Sequence, residues 1–272
     1  MLQKEVGFIG GGNMANAIIG GLVKSSYIAP KNIWVFDHKP EINQLLVDKY
    51  GVNAVNNANA LACKVDILFG TVKPNVILKV LKDLAHQLKK DVLVVSIAAG
   101  ITLDSLTTVL GHNRKIMRVM TNIAVLVNEG MSSLTPNALV KQPEIDQIVA
   151  MFESFGKAAV VNESLIHSVV GVSGSAPAYV FILIEAMADA AVLGGMPRAQ
   201  AYQFAAQSVK GSAQMILETC KHPGELKDII CSPGGTTIEA VKVLEEKCFR
   251  GAVIEAMMQC MAKSEAIVKM HR

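Results

Sequence analysis

Near its C-terminus the chain carries a glycine turn that runs directly into a helix-forming segment. The turn is Ser232-Pro233-Gly234-Gly235, and the segment begins with Thr236 and Thr237. Glycines let the backbone amides of such a turn face outward, and the first amides of a helix are unpaired and lie at the positive end of its dipole. This combination predicts a site for an anion such as a carboxylate. The two threonines also suit plain helix capping, and both interpretations can hold together.

A second glycine-rich segment follows the apolar run Val6–Ile9 and opens a helix-forming stretch. This is the context that the dinucleotide fingerprint requires. Gly10 would make the tight turn, Gly12 would let a pyrophosphate approach the backbone, and Ala15 would let the helix lie close to the sheet. A cofactor and a carboxylated substrate are therefore expected to meet in this protein. The predicted loop reads Gly10, Gly11, Gly12, Asn13, Met14 and Ala15.

The end of the second apolar run bears on the choice of coenzyme. Asp37 stands about where an acidic residue would bind the adenosine ribose hydroxyls and favour NAD. His38 and Lys39 follow it and would suit the 2′-phosphate of NADP. The sequence leaves NAD and NADP both open, and each of the three residues would also suit an ordinary solvated turn.

Two further apolar runs end in residues that the cofactor would reach. In an open parallel sheet, ligands bind at the carboxyl ends of the strands. Lys73 is a candidate to face the cofactor or the substrate, and the alternative is a surface lysine at a helix start. The predicted contacts are Val72, Lys73 and Pro74 after one strand, and Ile97, Ala98 and Ala99 after the next.

The first part of the chain alternates short apolar runs with helix-length segments. Runs that are apolar almost throughout indicate strands buried on both faces of a parallel, doubly wound sheet. We predict an α/β fold, with a Rossmann-like dinucleotide-binding domain at residues 1–162. The runs lie at Val6–Ile9, Ile33–Phe36 and residues 67–72, 92–97 and 116–119, with later ones near residues 131–134 and 158–161.

Residues 163–272 look helical throughout and predict an all-α domain for substrate binding and dimerisation. Ala176–Leu193 is apolar around much of its circumference and rich in alanine, so we expect close helix neighbours to bury it. A tail of this length has little core of its own, which favours packing against a second copy. The alternative is a self-sufficient bundle that docks on its own sheet.

Composition narrows the class of partner. With 272 residues and 51% hydrophobic content, the chain can bury a large core. The net charge is only +3, so small charged metabolites are favoured over nucleic acid or an anionic membrane. No apolar stretch looks long enough to span a bilayer.

Five cysteines without a C-x-x-C pair suit packing residues in a reducing compartment, and six histidines without ligand spacing predict no metal. We expect a soluble, cytoplasmic protein.

Taken together, these segments resemble pyrroline-5-carboxylate reductase over essentially the whole chain. The two glycine loops are joined in this resemblance by Gly171-Val-Ser-Gly-Ser-Ala-Pro-Ala-Tyr179 and His222-Pro-Gly-Glu-Leu-Lys-Asp228. The resemblance implies NAD(P)H-dependent reduction of 1-pyrroline-5-carboxylate to L-proline, the last step of proline biosynthesis. It also implies NADPH as the cofactor, with NADH as the alternative, and a homo-oligomer built from dimers.

The resemblance also implies roles for single residues. The loop that includes Gly234, Gly235 and Thr236 would hold the substrate carboxylate by backbone amides, and Thr237 would hydrogen-bond the ring nitrogen. Thr237 is therefore the predicted catalytic residue. By the same resemblance, Glu163 would lie near the substrate and Asn122 would border the nicotinamide.

One departure from the family pattern concerns the loop after the fifth apolar run. The family usually has Met-Pro-Asn-x-Pro there, whereas this chain reads Met120-Thr121-Asn122-Ile123-Ala124. Two prolines that stiffen the loop are thus absent, and its rigidity is open. At a second departure, Cys220 stands where some relatives carry a glutamate, and a buried cysteine is the expected reading there.

Two other functions fit parts of the sequence. A β-hydroxyacid-type dehydrogenase would share the nucleotide loop and a helical tail, but it would want a catalytic lysine on the long helix, and residues 176–193 contain none. A non-catalytic nucleotide-sensing module would bind the cofactor without turnover.

Overall fold

The computed structural model describes residues 2–270, which form two compact units. The first comprises residues 2–174 and 260–270, and the second comprises Ser175–Gln259. The division lies twelve residues beyond the predicted boundary after residue 162, and the end of the chain returns to the first unit. This division is structural, so the substrate-binding and dimerisation roles of residues 163–272 stay predictions.

Eight strands of the first unit form one sheet in the order β3-β2-β1-β4-β5-β6-β7-β8. All neighbouring strands are parallel except β6 and β7, which pair antiparallel. The predicted doubly wound sheet is thereby confirmed, while the two-residue β3 and the reversal at β7 are not evident in the sequence pattern. The strands are β1 Val6–Ile9, β2 Ile33–Phe36, β3 Asn53–Ala54, β4 Ile67–Gly70, β5 Leu93–Ser96, β6 Lys115–Met120, β7 Gly130–Pro136 and β8 Gly156–Val160.

Helices cover both faces of this sheet. Every residue of β1, β4 and β5 is buried, as expected of central parallel strands. Phe8, Phe69, Phe152 and Phe155 pack in sequence within the core on one face. The helices of this unit are α1 Asn13–Lys24, α2 Pro40–Tyr50, α3 Ala58–Lys64, α4 Pro74–Leu84, α5 Leu103–Leu110, α6 Gln142–Glu153 and α7 Ile166–Val169, with a π-helical turn at Val170–Gly174.

Hydrogen bonds explain why residues 163–174 belong to the first unit. The carboxylate of Glu163 accepts from Arg118 Nη1 at 2.7 Å and from the Leu103 N–H at 2.8 Å. At the other end of the segment, Asn122 Nδ2 donates to the Ser173 carbonyl at 3.0 Å. These contacts hold the segment against the start of α5, strand β6 and the residue Asn122 that follows it, which composition alone does not reveal.

The second unit is helical, as predicted. Small residues bring its first two helices together, since Ala188 on one and Ala201 and Ala205 on the other are buried. The helices are α8 Ala176–Leu193, α9 Arg198–Thr219, α10 Pro223–Ile230, α11 Thr236–Glu246 and α12 Phe249–Met270, the last of which continues into the residues counted with the first unit.

The apolar surface of α8 bears on two expectations from the sequence, one about the length of apolar stretches and one about the burial of this helix. Residues Glu163–Leu193 form a largely helical stretch of 31 residues, interrupted at Ser175, with a mean hydropathy of 1.7 over an 18-residue window, so by length and composition alone it would suffice to cross a bilayer. The expectation that no stretch is long enough was therefore wrong. In the single chain only Ala188 of α8 is buried, and Phe181 and Ile182 are 62% and 66% exposed. Among the described residues, α9 is a close neighbour of this helix, but it leaves most of the apolar circumference of α8 exposed.

The cysteines also differ from expectation. Each of the five is exposed or partly exposed in the single chain rather than packed in a core, and Cys63, Cys220, Cys231 and Cys248 are free thiols. Cys220 lies at the left-handed C-terminal residue of α9 with φ +53°, a position that ends the helix. A buried packing role is therefore wrong for Cys220.

Candidate active site

The first glycine loop joins the end of β1 to the start of α1. Gly10 has φ +97°, and a Cβ atom there would approach Val72 Cγ1 to 2.8 Å and the Thr71 backbone to 3.0 Å. Its N–H donates to the Phe36 carbonyl at 2.8 Å. Both its backbone conformation and its surroundings therefore require glycine.

Gly12 has a different environment. A Cβ atom there would meet nothing within 4 Å, and Gly12 is the N-cap of α1 without contributing a side-chain hydrogen bond. The first amides of α1 thus have no side-chain cap from Gly12 and lie at the positive end of the helix dipole. Asn13 is exposed, Met14 half-buried and Ala15 fully buried, as expected where a helix lies close to the sheet. This geometry fits a pyrophosphate group.

A cavity of about 540 Å³ opens beside the loop, between the ends of β1, β2 and β4. Its size falls in the range of small-molecule sites, and its wall is mostly apolar with a few polar groups. This is the side of the sheet on which an adenosine moiety would fit. Its lining includes Gly10, Asp37, His38, Asn59, Val72 and Val76.

Asp37 is engaged within the protein. One carboxylate oxygen accepts from the Gly11 N–H at 2.8 Å, and the other accepts from the Lys39 N–H at 3.0 Å and lies 3.1 Å from His38 Nδ1. The carboxylate therefore fixes the glycine loop to the end of β2, and its predicted bond to the ribose stays a prediction. The neighbouring His38 and Lys39 are exposed, and His38 lines the cavity.

Thr71 is a loop-forming residue that the sequence pattern does not single out. Its hydroxyl lies 2.8 Å from the Ile9 carbonyl and 2.6 Å from the Gly10 carbonyl, so it donates to the carbonyls of the loop. Its N–H also donates to the Ile9 carbonyl at 2.9 Å. A hydroxyl residue directly after an apolar strand was the only available signal.

The remaining predicted cofactor residues lie at the same edge of the sheet. Because β1, β4, β5 and β6 are parallel, their carboxyl ends lie together, and the residues that follow them share this edge. Lys73 is exposed at the N-cap of α4. The set comprises Val72, Lys73 and Pro74 after β4, Ile97, Ala98 and Ala99 after β5, and Asn122 after β6.

The predicted anion loop lies in the second unit. Gly234 has φ +66°, and the Gly235 N–H donates to the Ser232 carbonyl at 3.0 Å, so residues 232–235 form a β-turn with proline and then glycine at its centre. A Cβ atom on Gly235 would lie 2.4 Å from Ser232 Oγ. Gly235 is the N-cap of α11 and contributes no side-chain cap, so the amides at Thr236 and Thr237 open the helix without one.

Glu163 lies in the first unit, whereas this loop lies in the second. Its contacts with Arg118 and the Leu103 N–H assign it a part in holding the start of α5, and a role toward the substrate stays a prediction. The side chain of Arg118 is only 6% exposed, so its charge requires this partner.

Two histidines have structural partners. His222 Nδ1 accepts from the Gly224 N–H at 3.1 Å and caps α10, and His167 Nδ1 lies 2.9 Å from Ser264 Oγ. Within residues 2–270, no group of three or more His, Cys, Asp or Glu side chains is placed to hold a metal ion.

Comparison with known proteins identifies relatives of both units. Residues 163–267 match the family described as pyrroline-5-carboxylate reductase dimerisation, and residues 5–100 match that described as NADP oxidoreductase, coenzyme F420-dependent. The pyrroline-5-carboxylate reductase of Escherichia coli strain K12 is 59% identical over 268 residues, covering 98% of this chain and 100% of the relative.

Solved structures agree with this result. A pyrroline-5-carboxylate reductase from Coxiella burnetii matches with a TM-score of 0.92 and 31% identity, covering 98% of this chain and 99% of that one. The Plasmodium falciparum pyrroline carboxylate reductase, solved with NADP bound, matches with a TM-score of 0.89 and 29% identity over the same shares of the two chains.

Proposed function

The chain belongs to the pyrroline-5-carboxylate reductase family, and we propose that it reduces the C=N bond of 1-pyrroline-5-carboxylate to L-proline with NADPH, the final step of proline biosynthesis. The observation that carries the proposal is the pairing of two loops. One presents an open glycine at an uncapped helix start, and the other presents a glycine turn at a second uncapped helix start.

The first unit fits NADPH. The amides that open α1 would bind the pyrophosphate, and the cavity of about 540 Å³ would take the adenosine. His38 and Lys39 would favour the 2′-phosphate, whereas Asp37 is occupied by backbone amides. When bound, NADPH supplies the hydride. NADH stays the alternative coenzyme.

The second loop fits the substrate carboxylate. The backbone amides of Gly234 and Thr236 would bind it at the positive end of α11, without requiring a cationic side chain. The expected amide contact from Gly235 needs correction, because its N–H donates to the Ser232 carbonyl and shapes the turn instead. Orienting the ring in this way supplies the proximity contribution, which can lower a barrier by about 7–11 kcal/mol.

Thr237 is the proposed catalytic residue. Reduction adds a hydride to the ring carbon and a proton to the nitrogen, and the imine carbon accepts hydride well only when the nitrogen is protonated or hydrogen-bonded. The Thr237 hydroxyl, half-buried in the first turn of α11, would donate to that nitrogen or hold a water that does so. Hydride transfer also requires the nicotinamide and the imine to lie in contact, and the assay below tests whether the assembled protein achieves this.

We further propose a homo-oligomer built from dimers, located in the cytoplasm. The exposed apolar residues of α8, α9 and α12 support the dimer, because a single chain leaves them in water. The free thiols of Cys63, Cys220, Cys231 and Cys248 suit a reducing compartment.

Steady-state kinetics test the function directly. Purified protein is mixed with 1-pyrroline-5-carboxylate and NADPH or NADH, and the loss of reduced-coenzyme absorbance is followed together with proline formation. We expect stoichiometric proline. Coenzyme binding without turnover would instead support a nucleotide-sensing module, and oxidation of β-hydroxy acids with no activity on the imine would support a β-hydroxyacid-type dehydrogenase.

A further inference from the structure

Two hydroxyl groups meet in the interior where β6 ends. Thr121 Oγ1 and Ser132 Oγ lie 2.8 Å apart, and the two residues are 8% and 1% exposed. A buried hydroxyl without a partner destabilises a protein by about 1–3 kcal/mol, so each of these groups requires the other. The pair ties the residue after β6 to the neighbouring antiparallel strand β7.

Asn122, the next residue, is held at three points. Its Oδ1 accepts from the Ala124 N–H at 3.2 Å and from the Met131 N–H at 3.3 Å, and its Nδ2 donates to the Ser173 carbonyl at 3.0 Å. The Ala124 bond is one that a proline at that position could not make. The side chain thus joins the turn that follows, the start of β7 and the π-helical turn.

The turn held by Asn122 forms part of a pocket beside the cofactor loop. It is a 3₁₀ helix, Ile123–Val127, and it packs against α1. Together they enclose a cavity of about 360 Å³ lined by Asn13, Met14, Asn16, Ala17, Ile123, Val125 and Leu126. The position of the turn therefore sets one wall of the space next to the helix start that fits the pyrophosphate.

We propose that the Thr121–Ser132 hydrogen bond is a positioning device for the cofactor pocket. It restrains the loop that follows β6, and it keeps Asn122 and the 3₁₀ turn in the place that the cofactor needs. Thr121 and Ser132 act through Asn122 and do not touch the reacting atoms. The inference rests on the proposed function only for its catalytic consequence, because its effect on cofactor binding is separate.

The test compares Thr121→Val and Ser132→Ala, which break the bond from either side, with the double variant and with Thr121→Ser, which keeps the hydroxyl. Thr135→Val is the matched control, since Thr135 is a buried hydroxyl residue on the same strand β7 that donates to the Val161 carbonyl at 2.9 Å, away from the loop. NADPH binding is titrated by fluorescence, and amide hydrogen exchange is followed over residues 122–131.

We expect each bond-breaking variant to weaken NADPH binding about fivefold and to speed exchange in this segment, the size expected for one lost hydrogen bond. The double variant should bind as weakly as the single ones, because both remove the same bond. Thr121→Ser should bind as the parent does, and Thr135→Val should lower thermal stability without changing NADPH affinity.

Unchanged NADPH affinity in both bond-breaking variants would overturn the proposal, as would an equal loss in Thr135→Val. If Thr121→Val does not fold, Ser132→Ala decides the question alone. A parent protein that fails to reduce 1-pyrroline-5-carboxylate while the variants still lose NADPH affinity would contradict the proposed function and leave the positioning role supported.

Discussion

Glycines of the first loop are required for two separable reasons. Gly10 has a positive φ and no room for a Cβ atom, so it is required by the fold. Gly12 has an ordinary extended backbone and open space around it, so nothing in the protein itself excludes a side chain. We propose that the pyrophosphate of the cofactor, approaching the backbone there, excludes it.

Substituting each glycine by alanine separates folding from binding. Gly12→Ala should have the same thermal unfolding midpoint as the parent. It should bind NADPH at least about tenfold more weakly, because its methyl group takes the space of the pyrophosphate. Gly10→Ala should lose about 1–3 kcal/mol of stability through strain and contact. Thermal unfolding with and without NADPH measures both. Equal NADPH affinity in Gly12→Ala and the parent would contradict the assignment of this loop.

At the second loop, Thr237→Ala separates catalysis from substrate capture. Backbone amides remain in the variant, so we expect cofactor affinity and KM for the imine to change little, while kcat falls about 10-fold or more through loss of the donor to the ring nitrogen. Thr219→Ala, which removes an exposed hydroxyl on α9 in the same unit, is the control. Unchanged kcat in Thr237→Ala would remove this residue from the mechanism.

Among the elements, α6 is attached to the sheet through its first turn. Glu144 accepts from Lys115 Nζ on β6 at 2.8 Å and from the Lys141 N–H at 3.1 Å. Burial alone would raise the pKa of Glu144, but the hydrogen bonds from Lys115 and Lys141 favour the charged form and leave the pKa lower than its ordinary value. The helix is therefore attached most firmly when this carboxylate is ionised.

The lowered pKa makes this contribution sensitive to acid. A carboxylate with a lower pKa in the folded state stabilises the protein above its unfolded-state pKa of about 4.3, and the contribution disappears as the pH falls through the folded-state pKa. Glu144→Gln should thus lose about 1 kcal/mol at pH 7, and its difference from the parent should shrink below about pH 4. Urea unfolding across this pH range measures it.

Glu153→Gln is the control for this experiment, because Glu153 is exposed at the other end of α6. Its stability should follow that of the parent at every pH. A difference between Glu144→Gln and the parent that stays constant down to about pH 3 would show that the ion pair does not account for the contribution.

For the whole molecule, local patterns predicted most of the fold. Short runs apolar on both faces identified the central strands, since burial in a parallel sheet leaves no polar alternation. The two residues of β3 carry too little pattern to be recognised, and the reversed β7 would show the same mostly buried pattern whichever direction it ran. Strand direction depends on connections and partners rather than on composition.

Part of the candidate site could likewise be predicted from the sequence, and part could not. The glycine loops were predictable because their backbone requirements are written in the residues themselves. Contacts between distant polar residues were not, and Thr71, Arg118 and the Thr121–Ser132 pair are examples. Each has meaning only when the fold brings its partner near, and the sequence separation conceals that partner.

At the scale of the whole molecule, the single chain leaves large apolar side chains of α8 and α12 exposed. Ile182 on α8 and Ile254 on α12 are 66% and 63% exposed, and exposed apolar side chains of this kind mark a contact surface, which we propose a second chain covers. We expect the mass of the parent in solution to be at least twice that of the 29.0 kDa chain. Ile182→Glu and Ile254→Glu should shift the mass toward that of a single chain, because each substitution would bury a charge in the interface. Leu45→Glu, at a 53% exposed residue of α2, should leave the mass unchanged. Light scattering after size-exclusion chromatography measures the masses. A parent protein of single-chain mass, or one recovered with membranes through Glu163–Leu193, would contradict the proposed dimer.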